Sequence, residues 1–327
     1  MDSFQTFLLI ILVLLAFNYL GTILVDRIIR YNVPETPETT KEGFTSDDAA
    51  NESRIITLAN DDLYDDFYAS VYDKLAQGIE RTAGKVALTM AQWKKYGMEP
   101  ADMKILDAGC GTGVATLAFK KMGAGQVIGF DLSESMLRQA RNVTSPASTL
   151  TEEERATIEW RKGNLLNPSA LAGSEVNCAV LYYFSVYYIK DLDDLFRNLG
   201  FWVAPGGNLV VEVVNKHKFD PILDSASPFA GFSIQKYAKS RQTKSHVTFD
   251  KFVYEADFAL LEDENHAEFN ETFKFPDGTK RKQRHDFVMP DIKRIVNAAT
   301  YAGWTYKAYL DTTALGFEYG YLLFFTH

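Results

Sequence analysis

The segment Ile105–Gly113, ILDAGCGTG, constrains this chain more than any other. An apolar run ends in alternating glycines and gives way to GVATLAFKKM, whose Val114, Leu117, Ala118 and Met122 fall on one helical face. The pattern is strand, tight turn, helix. Gly109, Gly111 and Gly113 allow the sharp turn and leave backbone bare at a helix N-terminus, where a ligand can approach. The spacing is G-x-G-x-G, whereas a dinucleotide fingerprint, G-x-G-x-x-G, needs glycine where Val114 stands. Asp131 closes the next apolar run, QVIGFD (126–131). A carboxylate at that strand end can accept both hydroxyls of a ribose. The pair marks a nucleoside site without choosing the nucleoside; a helix-flanking aspartate beside a Ser133 cap is the plainer alternative.

Downstream of Glu99-Pro100, strands and helices alternate. Strand-like runs are MKILDAG (103–109), QVIGFD (126–131), TIEWRKGN (157–164), VNCAVLYYF (176–184) and the segment that follows the APGG turn (204–207). Helices SESMLRQAR, with Ser133 as its cap, and DLDDLFRNLGFWV lie among them. Such alternation predicts a doubly wound, mostly parallel α/β sheet. A helix near 291–302 and the strands WTYKAYLD and YGYLLFFT bring the sheet to seven strands. Residues 55–98 read as helical, with apolar or aromatic side chains at 63, 67, 68, 71, 72 and 75. The texture changes after Val214: 215–245 is irregular and polar, and then HVTFDKFVYEADFALLE and HAEFNETFKF alternate as antiparallel strands. A Pro276-Asp277-Gly278 turn follows. Residues 215–290 therefore read as an antiparallel insertion after strand five.

The N-terminus has a different character. Phe7–Val25 is nineteen residues without a charge, spanning roughly 28 Å as a helix, close to a bilayer's hydrocarbon thickness. No basic residue precedes it and Arg27 and Arg30 follow it, which predicts a single-pass anchor with its N-terminus outside and the rest of the chain cytoplasmic. The expected organisation is a transmembrane helix in 1–30, a flexible acidic tether in 31–54 and one catalytic domain in 55–327. A net charge of −9 argues against nucleic acid as a partner. The densest basic cluster, Lys280, Arg281, Lys282 and Arg284, reads as a solvated hairpin. Two cysteines, Cys110 and Cys178, provide neither a disulfide framework nor zinc spacing.

With DAGCGTG, GFDLSESML, GNLLNP and APGG in this order, the chain resembles the class I, Rossmann-like S-adenosylmethionine (SAM)-dependent methyltransferases. The match runs from about Leu63 to Val214. The resemblance implies that Asp107, Gly109, Gly111 and Gly113 belong to the loop around the methionine and ribose of SAM. It implies that Asp131 binds the ribose diol, with Leu132 and Met136 near the adenine. Asn164, with Leu165 after it, holds the position that meets the adenine amino group; many relatives carry aspartate there. LYDDFYASVYDKL resembles the helix that covers the cofactor, with Tyr72 rather than Tyr64 as its contact.

Methyl transfer from a sulfonium is an in-line displacement, so such a protein chiefly positions a nucleophile and excludes water. A general base is needed only when the acceptor must lose a proton. His285, in QRHDF, is the first candidate, ahead of His246 and Glu212. Tyr183, Phe184, Tyr187 and Tyr188 follow strand four, where the acceptor enters in relatives, and either frame a cation or pack. The resemblance and the anchor imply a small-molecule or lipid-like acceptor at a membrane. A binding or scaffold protein that has lost catalysis is the alternative, and a nicotinamide-dependent oxidoreductase is disfavoured by Val114.

Overall fold

The computed structural model describes residues 55–76, 79–143, 150–221, 241 and 243–327. The anchor and tether expected in 1–54 lie outside them; among the described residues no helix is long and apolar enough to cross a membrane. The chain begins with strand β1 (Ile55–Ala59) and helices α1 (Asp66–Ala76) and α2 (Ile79–Lys95). Then come β2 (Lys104–Ala108), α3 (Val114–Lys121), β3 (Gln126–Asp131) and α4 (Glu134–Val143). A short α5 (Glu152–Ala156) precedes β4 (Ile158–Lys162), β5 (Val176–Leu181), α6 (Leu192–Trp202) and β6 (Val203–Val214). Next are β7 (Lys244–Thr248), β8 (Val253–Leu260), β9 (His266–Lys274) and β10 (Lys280–Val288). Helix α7 (Ile292–Tyr301), β11 (Thr305–Asp311) and β12 (Gly320–Thr326) complete it.

Seven strands form the main sheet in the order β11-β12-β6-β5-β2-β3-β4, and β12 alone runs opposite to the other six. Helices cover both faces, which is why its central strands are nearly continuous apolar runs. On β2, Leu106 joins the core containing Phe196 and Trp202, while its neighbour Ile105 joins the opposite core with Trp93 and Phe119.

The second sheet, β1-β10-β9-β8-β7, is antiparallel except where β1 runs parallel to β10. The insertion is thus four strands of an antiparallel sheet, as its alternation predicts. Its fifth strand corrects the sequence reading. Residues 55–59 are extended, not helical, because the β-branched pair Ile55-Ile56 pairs with Lys280 and Arg281 far along the chain. Helix α1 packs on this sheet through Tyr68, Val71 and Leu75 against Phe252 and Phe273. The basic cluster also departs from expectation. Arg281 is 5% exposed, and its guanidinium donates to Asp65 Oδ2 (2.7 Å), the Leu63 carbonyl (3.0 Å) and Gln283 Oε1 (2.8 Å). It joins the insertion to the start of α1.

Candidate functional site

The parallel strands end together, and the turns after them assemble the site expected from such a sheet. After β2, Gly109 and Cys110 donate their N–H groups to the Phe130 carbonyl, at 2.8 and 3.0 Å. Gly113 caps α3 with φ +80°, and a Cβ there would come 2.5 Å from the Trp160 ring. Gly111, at φ +53°, faces open space: a Cβ would meet nothing within 4 Å. The loop therefore offers unobstructed backbone to a ligand at a helix N-terminus.

Asp131, half-buried at the end of β3, accepts the Gly111 N–H at Oδ2 (2.8 Å) and the Ser133 N–H at Oδ1 (2.9 Å). Burial pushes its carboxyl up, against the pull of backbone N–H groups from Ser133, Gly111 and Leu132. Each oxygen retains a lone pair for a further donor such as a ribose hydroxyl. Leu132 is 46% exposed, an apolar surface beside the carboxylate. Met136 is 1% exposed and packs in the core that α1 shares with the insertion, together with Tyr68 and Phe273. Asn164 is exposed after β4, its Oδ1 accepting from the Leu166 N–H at 2.9 Å. The Leu165 side chain belongs to the main core.

Asp107 is also turned inward. It is 2% exposed and accepts from Thr116 Oγ1 (2.6 Å) and the Thr116 N–H, bracing the loop from behind. Burial pushes its pKa up to about 6 from 3.8. A raised carboxyl favours folding below its unfolded pKa, and that contribution is lost as pH rises through the folded value. About two pKa units correspond to about 3 kcal/mol. Asp107→Asn is therefore expected to flatten the fall in stability between pH 4 and 7, as followed by urea melts. Parallel wild-type and variant curves across that window would refute the assignment.

Helix α1 closes over the loop. Asp73 Oδ1 accepts from Thr112 Oγ1 at 2.5 Å, tying the helix to the glycine turn. Next to it in the helix, Tyr72 is half-buried, edge-on to Tyr68 at 5.7 Å. Its hydroxyl is pushed up first by burial and then by Tyr64, Tyr183, Asp73 and Asp131. Tyr64 lies against the Asp131 turn: Ser133 Oγ donates to its carbonyl at 2.7 Å.

Beyond β5, Tyr183 takes a left-handed conformation, φ +54°, which ends the strand at Leu181 rather than at the expected 184. Glu212 Oε2 accepts the Tyr183 N–H at 2.6 Å, Glu212 Oε1 pairs with Lys85 Nζ at 2.6 Å, and the ammonium lies 4.5 Å from the Tyr183 ring centre. Glu212 is thus engaged by Lys85 and by backbone, which removes it as a free base. The Tyr187 hydroxyl is used by main chain, accepting from the Val214 N–H at 2.8 Å. Phe184 packs on Phe219 and Phe287.

The insertion contributes a polar cluster from its inner face. His285 is 2% exposed; its Nε2 lies 2.6 Å from Glu271 Oε2 and its Nδ1 2.6 Å from the Tyr188 hydroxyl. The Tyr64 hydroxyl donates to that of Tyr188 at 2.7 Å. Glu271, 2% exposed, also accepts from the Tyr254 hydroxyl and from Gln283 Nε2. Burial raises its carboxyl, but His285 and these hydrogen bonds outweigh that and hold it below the ordinary range. His246 is not brought to this cluster. It is exposed on β7, the edge strand, with Nδ1 3.4 Å from Glu255 Oε1.

Lys85, Asp73 and Glu271 escaped the sequence reading. Glu271 had a detectable signal: it alternates with Phe269 and Phe273 on the inward positions of its strand, as Arg281, Gln283 and His285 alternate with Phe287 on theirs. A run of polar residues at core-facing positions marks a buried network.

Residues 105–207 match the family model described as "Methyltransferase domain". A ribosomal protein L11 methyltransferase of Bordetella parapertussis is 27% identical over 135 residues, 41% of this chain and 39% of its own length. This chain therefore spans about two fifths of that relative. The demethylmenaquinone methyltransferase of Lactococcus lactis is 28% identical over 204 residues, 58% of this chain and 76% of that protein. Among solved structures, a SAM-dependent methyltransferase from Clostridium acetobutylicum superposes with TM-score 0.58 at 15% identity, covering 80% of this chain and 97% of that one.

Proposed function

From a chain that carries a methyltransferase domain on the class I fold, we propose a SAM-dependent enzyme that methylates a small-molecule or lipid-like acceptor at a membrane surface. One observation carries the cofactor assignment: the bare Gly111 backbone stands beside a carboxylate whose two oxygens retain lone pairs. The residues fit the group. Asp131 would take the ribose hydroxyls, Leu132 would lie under the adenine, Asn164 would meet its amino group, and Gly109–Gly113 with Tyr72 would enclose the rest. SAM supplies the activated methyl; the chain orients the acceptor and excludes water. A cytoplasmic domain tethered by Phe7–Val25 favours an acceptor met at the membrane. The quinone in the name of the Lactococcus relative supports the same class.

The test is transfer of label from methyl-tritiated SAM by the full chain in detergent micelles, with quinols, amines and extracted membrane lipids offered separately. Label is expected in one organic-extractable product. Tight SAM binding with no transfer to any of these classes would instead support the scaffold reading.

A further inference from the structure

His285 stood out in the sequence as a base, yet the fold buries its ring and occupies both nitrogens. Neither nitrogen is left to touch an acceptor. What the fold builds is a continuous line of hydrogen bonds across three parts of the chain: Tyr64 before α1, Tyr188 after β5, and His285 and Glu271 on facing strands of the insertion. Its successive contacts are 2.7, 2.6 and 2.6 Å. The line passes from the half-buried tyrosines to a carboxylate 2% exposed. The Tyr64 backbone also rests against the Asp131 turn, its carbonyl accepting from Ser133 Oγ, so the residue at this end of the line adjoins the cofactor side.

We propose that Tyr64, Tyr188, His285 and Glu271 form a proton relay that removes the acceptor's proton, which makes the acceptor a group bearing a dissociable proton, a hydroxyl or an amine. The inference rests on the methyl-transfer reading above. The methyl carbon leaves sulfur, whose bonding pair stays on sulfur, and bonds to the acceptor's heteroatom. The acceptor's proton passes to Tyr64 Oη, the Tyr64 proton to Tyr188 Oη, and the Tyr188 proton to His285 Nδ1. Both tyrosines end as neutral as they began. One positive charge disappears at the sulfonium and one appears on the imidazole, opposite Glu271.

The wiring follows from donor counting. Glu271 faces three donors, the Tyr254 hydroxyl, Gln283 Nε2 and His285 Nε2, and as the acceptor of all three it assigns the proton on Nε2 to His285. Tyr188 accepts from Tyr64, which leaves its own proton for Nδ1. Burial pushes both tyrosine hydroxyls well above their ordinary range; this disfavours a standing phenolate and suits hops through neutral hydroxyls. Glu271 therefore stabilises charge on the ring rather than taking the proton, and it acts as a positioning residue.

The test needs no acceptor. Nitrogen-15 spectra are recorded near neutral pH on full-length protein labelled at its five histidines. The exposed His217, His246, His266 and His327 are assigned by single replacement with glutamine. His285 faces Glu271 from β9, Tyr188 from the turn after β5, and Tyr64 and Tyr68 from the N-terminal side. Against these groups the relay requires a neutral ring with its proton on Nε2 and an imine-type Nδ1. In Tyr188→Phe, which keeps the ring, the Nδ1 resonance should move toward that of a free imine nitrogen; Tyr64→Phe should produce a smaller shift the same way. A ring protonated at both nitrogens has no place for the incoming proton, and that result overturns the relay. So does an Nδ1 resonance unmoved by Tyr188→Phe. A calorimetric SAM titration of the same sample keeps the two levels apart: absence of SAM binding overturns the methyl-transfer reading, whereas a doubly protonated ring with SAM bound overturns the relay alone.

Discussion

Asp131→Ala is expected to weaken SAM binding by at least about 100-fold, since each hydrogen bond to a carboxylate contributes about 1.5–3 kcal/mol and two ribose hydroxyls lose their acceptor. Isothermal calorimetry of wild type and variant reads this directly. The Asp131 oxygens also hold the Gly111 and Ser133 N–H groups, so some of the loss reflects a looser glycine turn. Asp131→Asn separates the contributions: it keeps one acceptor oxygen and gives up the charge, and its affinity should fall between the other two. Equal affinities for wild type and Asp131→Ala would place the nucleoside elsewhere on the sheet edge and remove the central support for the functional reading.

The second large effect concerns stability. Lys85 and Glu212 are 2% and 3% exposed and pair at 2.6 Å. Lys85→Met would leave a buried carboxylate without its cation, a change that typically costs about 3–5 kcal/mol. For a domain of this size that is a fall in Tm of roughly 10 °C. The same carboxylate accepts the N–H of Tyr183, whose positive φ stores about 1–3 kcal/mol of strain for a residue other than glycine. The pair thus fixes the turn that presents Tyr183 through Tyr188. Replacing both charges, in Lys85→Met with Glu212→Leu, should recover part of the lost stability, because no uncompensated charge then remains although the Tyr183 N–H loses its acceptor. A single variant no weaker than an ordinary surface substitution would show that the pair does not hold this turn.

The main sheet was legible because a strand covered by helices on both faces announces itself as a short, unbroken apolar run, and five such runs alternate with helices. The glycine turn was legible because positive φ at Gly111 and Gly113 restricts the residue types able to form it. Strand β1 was not legible. Ile55–Ala59 has no local partner, and its extended form depends on Lys280–Arg284 across the chain. Met136 is a related case. The family resemblance sets it beside Leu132 near the adenine, but only the packing of α1 and the insertion against α4 buries its side chain and leaves Leu132 exposed.

Local chemistry in the sequence by itself determined the doubly wound sheet, the glycine turn with Asp131 at the next strand end, and the antiparallel character of the insertion. Each follows from contacts and conformations within a few residues of one another. Tertiary structure alone decided what His285 can do. Its strand predicts only that residues 281, 283, 285 and 287 share a face. Whether that face meets solvent, an acceptor or a carboxylate depends on the register that sets His285 opposite Phe269, with Glu271 nearby, and on the docking of this sheet against Tyr64 and Tyr188. Those contacts join segments more than a hundred residues apart in part, and no local preference encodes them.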